Sequence, residues 1–307
     1  MLSRLAESFF WMGRYLERAE CTARMLSEHY QLLVEDRTVD DALGIHALVD
    51  VLALDDPSLK TIAGGGQRTF LKGVLGDATK PSTVVGAVAA ARENARAVRD
   101  SLPTDVYEAL NSLHLQLSRT RLLKAGSSPG QDLAALVERL VLVLGVVDVS
   151  MPRDEGYAFL ALGRYLERLD MTARLIEVRH DALWPEAGPV VTLRSLSALS
   201  AFLRTRNALT GQGVRFYLVL DPLFPRSMRS AAAGAVDAVQ MLERMGTFDS
   251  ELQREVGIMR SALEYAGSPE DDAVAELAAV TQQRAATASV AAGQAFFRPV
   301  GTIVWSS

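Results

Sequence analysis

Cysteine is almost absent from this sequence, which has one, Cys21, in 307 residues. A single cysteine can form neither an internal disulfide nor a zinc site of several thiolates. Histidine is scarce as well, at four residues. One Glu-x-x-His pair, Glu177 with His180, is present, whereas a di-metal helical bundle needs such pairs on two helices. The composition therefore predicts neither a metal site nor a cofactor.

Long apolar runs and an excess of positive charge are also lacking. The longest mainly apolar stretch, residues 140–149, is too short to span a bilayer. Arg4 and Glu7 interrupt the start of the chain before the apolar stretch of a secretory signal could form. The net charge of -5 gives no support for nucleic acid or a membrane surface as a partner. We expect a cytoplasmic protein.

Helix-forming residues recur throughout, and proline is missing from long stretches. No proline occurs between Leu2 and Glu35, so an all-α fold is expected. Residues 215–220 have a strand-like composition, but no second strand is evident, and we interpret them as a helix end or an extended connector. The sequence predicts a loop at 64–66, an irregular tail at 296–307, a helix beginning at Pro103, and helices over 2–35, 131–149, 152–183, 190–208, 225–245, 248–265 and 270–291.

One hexapeptide, Gly-Arg-Tyr-Leu-Glu-Arg, occurs twice. Residues 13–26 and 163–176 are identical at nine of fourteen positions. A second match pairs residues 77–83 with 221–227, and each has Asp, then Pro four residues later, then a hydroxyl residue two further on. Two matches in the same order indicate an internal duplication. We predict a helical bundle of two tandem copies of one unit, packed into one compact α-domain, with copies at 1–150 and 151–307.

The repeated helix has the same charges in both copies: Arg14, Glu17, Arg18 and Arg24 reappear as Arg164, Glu167, Arg168 and Arg174. Two diverged copies need not keep charges at solvated positions, because most surface substitutions change stability by less than about 0.5 kcal/mol. We therefore predict a specific, partly buried Arg–Glu network rather than a solvated charged face. It either locks the two copies together near a pseudo-twofold axis, or lines a site where arginine forks bind an anionic ligand.

Two further features of the repeated helix are informative. Gly13 and Gly163 lie inside the predicted helices, where glycine costs about 1 kcal/mol relative to alanine. Because both copies bear this cost, we predict close helix–helix contact at these two points. Cys21 corresponds to Met171 in the second copy, and an apolar equivalent indicates a small buried side chain rather than a catalytic nucleophile.

A second polar group lies before Pro103. Arg92, Glu93, Asn94 and Arg96 fall in one predicted helix, beside polar residues of the next. Two interpretations stay open. The group is either a solvated helix hairpin, or it packs its arginines against the acidic residues of the repeated helix.

Four segments resemble the bacterial alpha-E domain family, namely residues 2–20, 91–96, 151–156 and 224–227. The resemblance covers nearly the whole chain and adds Arg226 to the candidate functional residues. It departs from the family's pattern over residues 54–80, which are glycine-rich, and at Ser82, which stands where the second copy has Arg226.

The resemblance implies an all-helical protein that accompanies circularly permuted ATP-grasp ligases, transglutaminase-like peptidases and proteasome-related hydrolases. It suggests a non-catalytic helical partner or scaffold that acts with an ATP-grasp-type ligase or a transglutaminase-like protein and contacts their peptide-like amide product. Two alternatives stay open. One is an enzyme of amide or peptide metabolism that uses the paired Glu and Arg residues, in a cleft where carboxylates have raised pKa values. The other is a purely structural homo-oligomer.

Overall fold

The computed structural model of the chain describes residues 1–35, 41–52, 67–119, 128–267 and 269–297. No strand occurs among these residues, and the all-α prediction is confirmed. The predicted loop at 64–66 and the tail beyond residue 297 lie outside the described residues. The helices are α1 (Ser3–Glu35), α2 (Asp41–Val51), α3 (Gln67–Gly76), α4 (Val84–Ala97), α5 (Thr104–Arg119), α6 (Pro129–Ser150), α7 (Glu155–Glu177), α8 (His180–Leu183), α9 (Gly188–Ser195), α10 (Leu199–Arg204), α11 (Gly211–Leu220), α12 (Met228–Arg244), α13 (Ser250–Glu264) and α14 (Asp271–Ala292). Short helical turns at Arg99–Ser101 and Gly293–Phe297 follow α4 and α14.

Two long helices, α1 and α7, form the centre of the molecule and pack against each other. α1 contacts α4 and α6, and α5 closes this group by packing on both. α7 contacts α12 and α14, and α13 closes the second group in the same way. Each long helix is thus one member of a four-helix group, and the two groups meet along α1 and α7.

α1 is buried on nearly every side because it contacts helices of both groups. The side chains of Phe10, Leu16 and Leu26 are fully shielded from solvent, and so is the carboxylate of Glu17. A helix buried all round has to satisfy its polar side chains inside the protein. The charges of the repeated helix therefore lie in the interior rather than on a solvated face.

The predicted helix over 152–183 is shorter at both ends. α7 begins after Asp154, whose side chain accepts a hydrogen bond from an amide in the first turn. It ends before Arg179, whose φ of 53° is incompatible with a continuing right-handed helix. In the same way Ser197, with a φ of 55°, separates α9 from α10 within the predicted helix over 190–208.

Residues 215–220 form the second part of α11 rather than an extended connector. Thr210 caps this helix by accepting a hydrogen bond from the amide of Gly213. Tyr217 stacks on Phe224 with ring centroids 5.4 Å apart, which holds the helix end against the following turn. Capping and packing thus outweigh the strand-like composition of this segment.

Candidate functional site

α1 and α7 touch through their backbones at the two glycines. A Cβ atom at Gly13 would lie 2.1 Å from the carbonyl oxygen of Leu160, and one at Gly163 would lie 2.1 Å from that of Phe10. Any side chain at either position would therefore push the helices apart. The prediction of close helix–helix contact at both glycines is confirmed, and the contact is reciprocal.

Next to this crossing, each helix supplies a glutamate to an arginine of the other. Arg168 donates to Glu17 through Nε at 2.6 Å and Nη2 at 2.9 Å. Arg18 donates to Glu167 through Nε at 2.6 Å and Nη2 at 3.1 Å. Both are two-bond fork contacts, the strongest geometry for this pair of groups. The repeated Glu-Arg dipeptide therefore joins α1 to α7 twice.

A second arginine lies within ion-pair distance of each glutamate. Nη1 of Arg14 lies 3.1 Å from Oε2 of Glu167, and Nε of Arg164 lies 3.6 Å from Oε2 of Glu17. Burial alone would raise the pKa of Glu17, but the positive charges of Arg168 and Arg226 lower it to about 2. A carboxyl group of such low pKa stays ionised and is a weak base, which does not fit a general acid or base at neutral pH.

Arg226 completes the site on the side of Glu17. It lies in the turn before α12, and its Nη2 is 2.8 Å from Oε2 of Glu20 and its Nη1 is 4.0 Å from Oε1 of Glu17. Arg24 donates from Nε to the other oxygen of Glu20 at 2.8 Å. The thiol of Cys21 lies 3.6 Å from Nη1 of Arg226. Burial raises the pKa of this thiol well above its usual range, so the cysteine is not an activated nucleophile.

The turn that presents Arg226 has a counterpart before α4. The Ser227 hydroxyl donates to the Asp221 carbonyl oxygen at 2.5 Å and accepts from the Ser230 amide at 3.1 Å. The Thr83 hydroxyl makes the same two bonds, to the carbonyl oxygen of residue 77 at 2.6 Å and from the amide of residue 86 at 3.0 Å. Two turns of one geometry therefore present Arg226 on one side and Ser82 on the other.

On the side of Glu167, the position of Glu20 is taken by Asp170. Asp170 accepts from Nε of Arg174 at 2.9 Å and from Nε2 of Gln282 at 2.7 Å. The structure thus gathers eight of the candidate residues and Arg226 around one helix crossing, four from α1 and four from α7: Arg14, Glu17, Arg18, Arg24, Arg164, Glu167, Arg168 and Arg174.

Two cavities open beside this network. The first, about 340 Å³ in volume, is called the arginine cleft here and is lined by Arg153, Tyr157, Arg164, Tyr165, Arg168 and Arg226. Asp148 and two apolar residues complete its lining. Three of its four guanidinium groups pair with carboxylates, Arg164 with Asp148, Arg168 with Glu17 and Arg226 with Glu20. Arg153 donates to backbone carbonyl oxygens and has no carboxylate within ion-pair distance among the described residues, so its positive charge suits the cleft to an anionic group such as a carboxylate.

The second cavity, about 180 Å³ in volume, is called the Ser82 pocket here. Its polar lining consists of Arg18, Thr22, Ser82, Glu167, Asp170 and Arg174, and Leu52 and Met171 supply the apolar part. Unlike the arginine cleft, it has carboxylates and guanidinium groups in equal number. The two cavities therefore differ in the charge that they offer to a ligand.

The second polar group lies elsewhere on the molecule. Arg92 donates from Nε to Asn111 at 3.2 Å and pairs with Glu93, and Arg96 pairs with Glu93 at 3.0 Å. Asn94 donates to the carbonyl oxygen of residue 90 at 2.9 Å. These contacts fit a solvated hairpin of α4 and α5, and they do not bring the arginines to the acidic residues of α1.

Sequence reasoning missed a buried histidine pair between α1 and α8. Nε2 of His29 lies 2.9 Å from Nε2 of His180. His29 Nδ1 lies 2.8 Å from the Met25 carbonyl oxygen, so it carries the proton, and His29 Nε2 must accept from His180. Trp184 stacks on His180 with ring centroids 5.7 Å apart. The two histidines are 151 residues apart, and no local pattern signals their contact.

A second missed cluster fixes α11 to its neighbours. Arg215 donates from Nε to Asp271 at 2.7 Å and from Nη1 to Asp181 at 2.6 Å. The arginine side chain is 6% exposed, although it belongs to an otherwise apolar segment. A lone arginine in such a segment is a usable signal, because a charge that is buried needs a partner.

The described residues contain neither a metal-binding cluster nor a membrane-spanning helix. Among them, no group of three or more His, Cys, Asp or Glu side chains is arranged to hold a metal ion. In the same part of the chain, no helix combines the length and the apolar character required to cross a membrane.

Comparison with known proteins places this geometry in context. Residues 1–297 match the model of the Alpha-E family, described as a predicted alpha-helical domain with a conserved ER motif. Of the four Glu-Arg dipeptides in this chain, Glu17-Arg18 and Glu167-Arg168 form the reciprocal forks. The other two are Glu138-Arg139 and Glu243-Arg244.

Relatives with sequence similarity are longer than this chain. An uncharacterized protein of Mycobacterium bovis and one of Mycobacterium tuberculosis strain CDC 1551 are each 28% identical over 255 residues, which cover 73% of this chain and 28% of the relative. A protein of Mycobacterium tuberculosis strain H37Rv, also named as uncharacterized, is 27% identical over the same length. The match thus spans little more than a quarter of these relatives. No solved structure matches the chain.

Proposed function

Since the chain belongs to the Alpha-E family, we propose that it is a non-catalytic helical partner of an ATP-grasp-type ligase in cytoplasmic, peptide-like amide biosynthesis or processing. The observation that carries this proposal is the arginine cleft, which offers four guanidinium groups beside a rigid helix crossing. A carboxylate of the ligase, of a transglutaminase-like protein or of their peptide-like product has the charge and planar shape that these groups bind.

The state of the paired glutamates favours a binding role over a catalytic one. Glu17 and Glu167 are fully buried, and each is engaged by an arginine fork. An enzyme that used Glu17 as a general acid would need a raised pKa at this residue, whereas its pKa is lowered. The glutamates instead hold Arg164 and Arg168 in place, and this fixes the wall of the cleft.

The length of the relatives is consistent with this role. In the mycobacterial proteins the matched segment accounts for 28% of the chain, so there it accompanies other parts of one polypeptide. A unit that lies beside other domains in a single chain can contact them, and such contacts are what the proposed partner role requires.

We infer in addition that the two four-helix groups, residues 1–150 and 151–307, arose by duplication. The matched glycine contacts, the matched Glu–Arg forks and the two turns of equal geometry support this inference. A duplicated scaffold whose halves have since acquired different cavities suits a protein that binds two unlike groups.

The test uses the full chain and an ATP-grasp-type ligase from the same genome, mixed in pure form. We expect a stable complex by size-exclusion chromatography, with an affinity that falls as salt rises. Arg153→Glu, at the exposed rim of the cleft, should weaken the complex. Arg96→Glu, a similarly exposed arginine remote from the cleft, is the matched control and should leave it unchanged.

Three results would contradict the proposal. The first is equal weakening of the complex by both arginine variants. The second is turnover of ATP or of an amide by the pure chain alone, which would establish the enzyme alternative. The third is self-association without ligase binding, which would establish a structural homo-oligomer.

A further inference from the structure

The Ser82 pocket corresponds, through the sequence repeat, to the surroundings of the Arg226 side chain in the other half of the molecule. Seven of its eight lining residues correspond, through the repeat, to residues that surround or form the Arg226 site. In the order Arg18, Thr22, Ser82, Glu167, Asp170, Met171 and Arg174, the equivalents are Arg168, Thr172, Arg226, Glu17, Glu20, Cys21 and Arg24.

The contacts of Arg226 therefore describe what the pocket is shaped to hold. Its guanidinium lies 2.8 Å from Glu20, 4.0 Å from Glu17 and 3.6 Å from the sulfur of Cys21. The equivalent groups in the Ser82 pocket are Asp170, Glu167 and the thioether of Met171. The turn that carries Ser82 has the same hydrogen bonds as the turn that carries Arg226, so it approaches the pocket in the same way but with a shorter side chain.

The charges around the two sites differ by one guanidinium. Among the described residues, Glu17 and Glu20 are within ion-pair distance of four arginines: Arg24, Arg164, Arg168 and Arg226. Glu167 and Asp170 are within that distance of three: Arg14, Arg18 and Arg174. One added cation would give the second pair of carboxylates the surroundings that the first pair already has.

Two side chains that line the Ser82 pocket are more exposed to solvent than the equivalent side chains around Arg226. The side chain of Asp170 is 22% exposed and that of Arg174 is 31% exposed. The equivalent Glu20 is fully buried and Arg24 is 15% exposed. Each carboxylate oxygen of Asp170 has one described donor, and a carboxylate oxygen can accept a second hydrogen bond. The pocket is thus accessible and has acceptor capacity to spare.

We infer that the Ser82 pocket binds a guanidinium group supplied from outside the described residues, in the place and orientation that Arg226 occupies on the other side. The recognised chemistry is a planar cation with several N–H donors. It bonds to Asp170 and Glu167 and packs on Met171, and its source is either an arginine residue of a peptide or a free guanidino compound. This inference goes beyond the partner role proposed above and does not depend on the arginine cleft.

The test measures binding of N-acetyl-L-arginine amide to the full chain by isothermal titration calorimetry. We expect saturable binding of one equivalent, with no binding of N-acetyl-L-citrulline amide, which has the same length and a neutral urea group in place of the guanidinium. Free L-arginine is the third ligand. Tighter binding of the blocked derivative identifies a residue within a peptide as the natural source, and tighter binding of free arginine identifies a free guanidino compound.

Variants of the turn decide whether this pocket is the site. Ser82→Arg should fill the pocket with the chain's own guanidinium group. We expect binding of N-acetyl-L-arginine amide to weaken about tenfold or more, which is a loss of about 1.4 kcal/mol or more. The melting temperature of this variant should rise. Ser82→Ala keeps the pocket open and should still show saturable binding. Arg226→Ser should open the equivalent site in the other half and raise the number of bound equivalents to two. Guanidinium chloride at sub-denaturing concentration should restore part of the stability that this variant loses.

Two outcomes would overturn the inference: the absence of saturable binding to the parent chain, or binding that Ser82→Arg leaves unchanged. The Ser82→Arg comparison stands by itself if Arg226→Ser does not fold. Because Arg153→Glu tests the arginine cleft separately, failure at the Ser82 pocket is distinguishable from failure of the partner role.

Discussion

Glu17 of α1 and Glu167 of α7 lie on opposite sides of one helix crossing, and each accepts a two-bond fork from the arginine that follows the other in the sequence. The two glutamates are therefore held by Arg168 and Arg18, not by arginines of their own helix. Because each arginine binds the glutamate of the other helix, the two repeated Glu-Arg dipeptides join α1 to α7. This pairing also places charges in the centre of the molecule, where each depends on its partner.

Removal of one of these glutamates should be costly. In Glu17→Gln the guanidinium group of Arg168 loses its buried counter-charge, and breaking a buried pair in this way typically costs about 3–5 kcal/mol. We expect a fall of that size in the free energy of unfolding, measured by urea titration. Glu93→Gln is the control, because its side chain is 53% exposed and exposed pairs contribute less than about 1 kcal/mol. Equal effects of the two substitutions would show that the network does not stabilise the fold.

The helix crossing gives a second prediction. In Gly13→Ala the new Cβ would lie 2.1 Å from a backbone oxygen of α7, and the helices would have to separate, at a cost of about 1–3 kcal/mol for an overpacked site. Gly257→Ala is the matched control, because a Cβ there has no neighbouring atom within 4 Å, and it should stabilise α13 by up to about 1 kcal/mol. Thermal unfolding of both variants checks the opposite signs. A stabilised Gly13→Ala protein would refute the close crossing.

Features encoded by the repeat could be predicted from the sequence. The duplicated hexapeptide indicated a shielded Arg–Glu network, and the two helical glycines indicated a close crossing, because both signals are local and occur twice. The pairing across helices was not predictable. Within one helix, Glu17 is near Arg14, and the choice of Arg168 instead depends on how α1 and α7 cross. The same limit applies to Ser82, whose position suggested a departure from the family but not an open pocket.

Contacts between unlike segments were beyond the reach of sequence patterns. His29 and His180 meet because α8 begins directly after Arg179, a residue of left-handed conformation. Neither the turn nor the contact has a periodic signature. The strand-like composition of residues 215–220 left a helix end and an extended connector both open, because β-propensity reflects packing context more than backbone preference. There the packing of aromatic rings and the ion pairs of Arg215 favour a helix.

The same buried groups predict two separate steps of acid destabilisation. Burial lowers the pKa of His29 from 6.5 to about 4, so the unfolded chain takes up a proton below pH 6.5 while the folded chain does not. The free energy of unfolding should fall between about pH 6.5 and pH 4, by on the order of 3 kcal/mol for this residue. The arginines lower the pKa of Glu17 from 4.5 to about 2, so its contribution is present above pH 4.5 and is lost as the pH falls towards 2. Urea titrations across this range should show that His29→Gln reduces the upper step, to which the buried His180 beside it also contributes, and that Glu17→Gln reduces the lower step. A pH profile that neither substitution changes would mean that these groups have the same pKa in the folded and unfolded states.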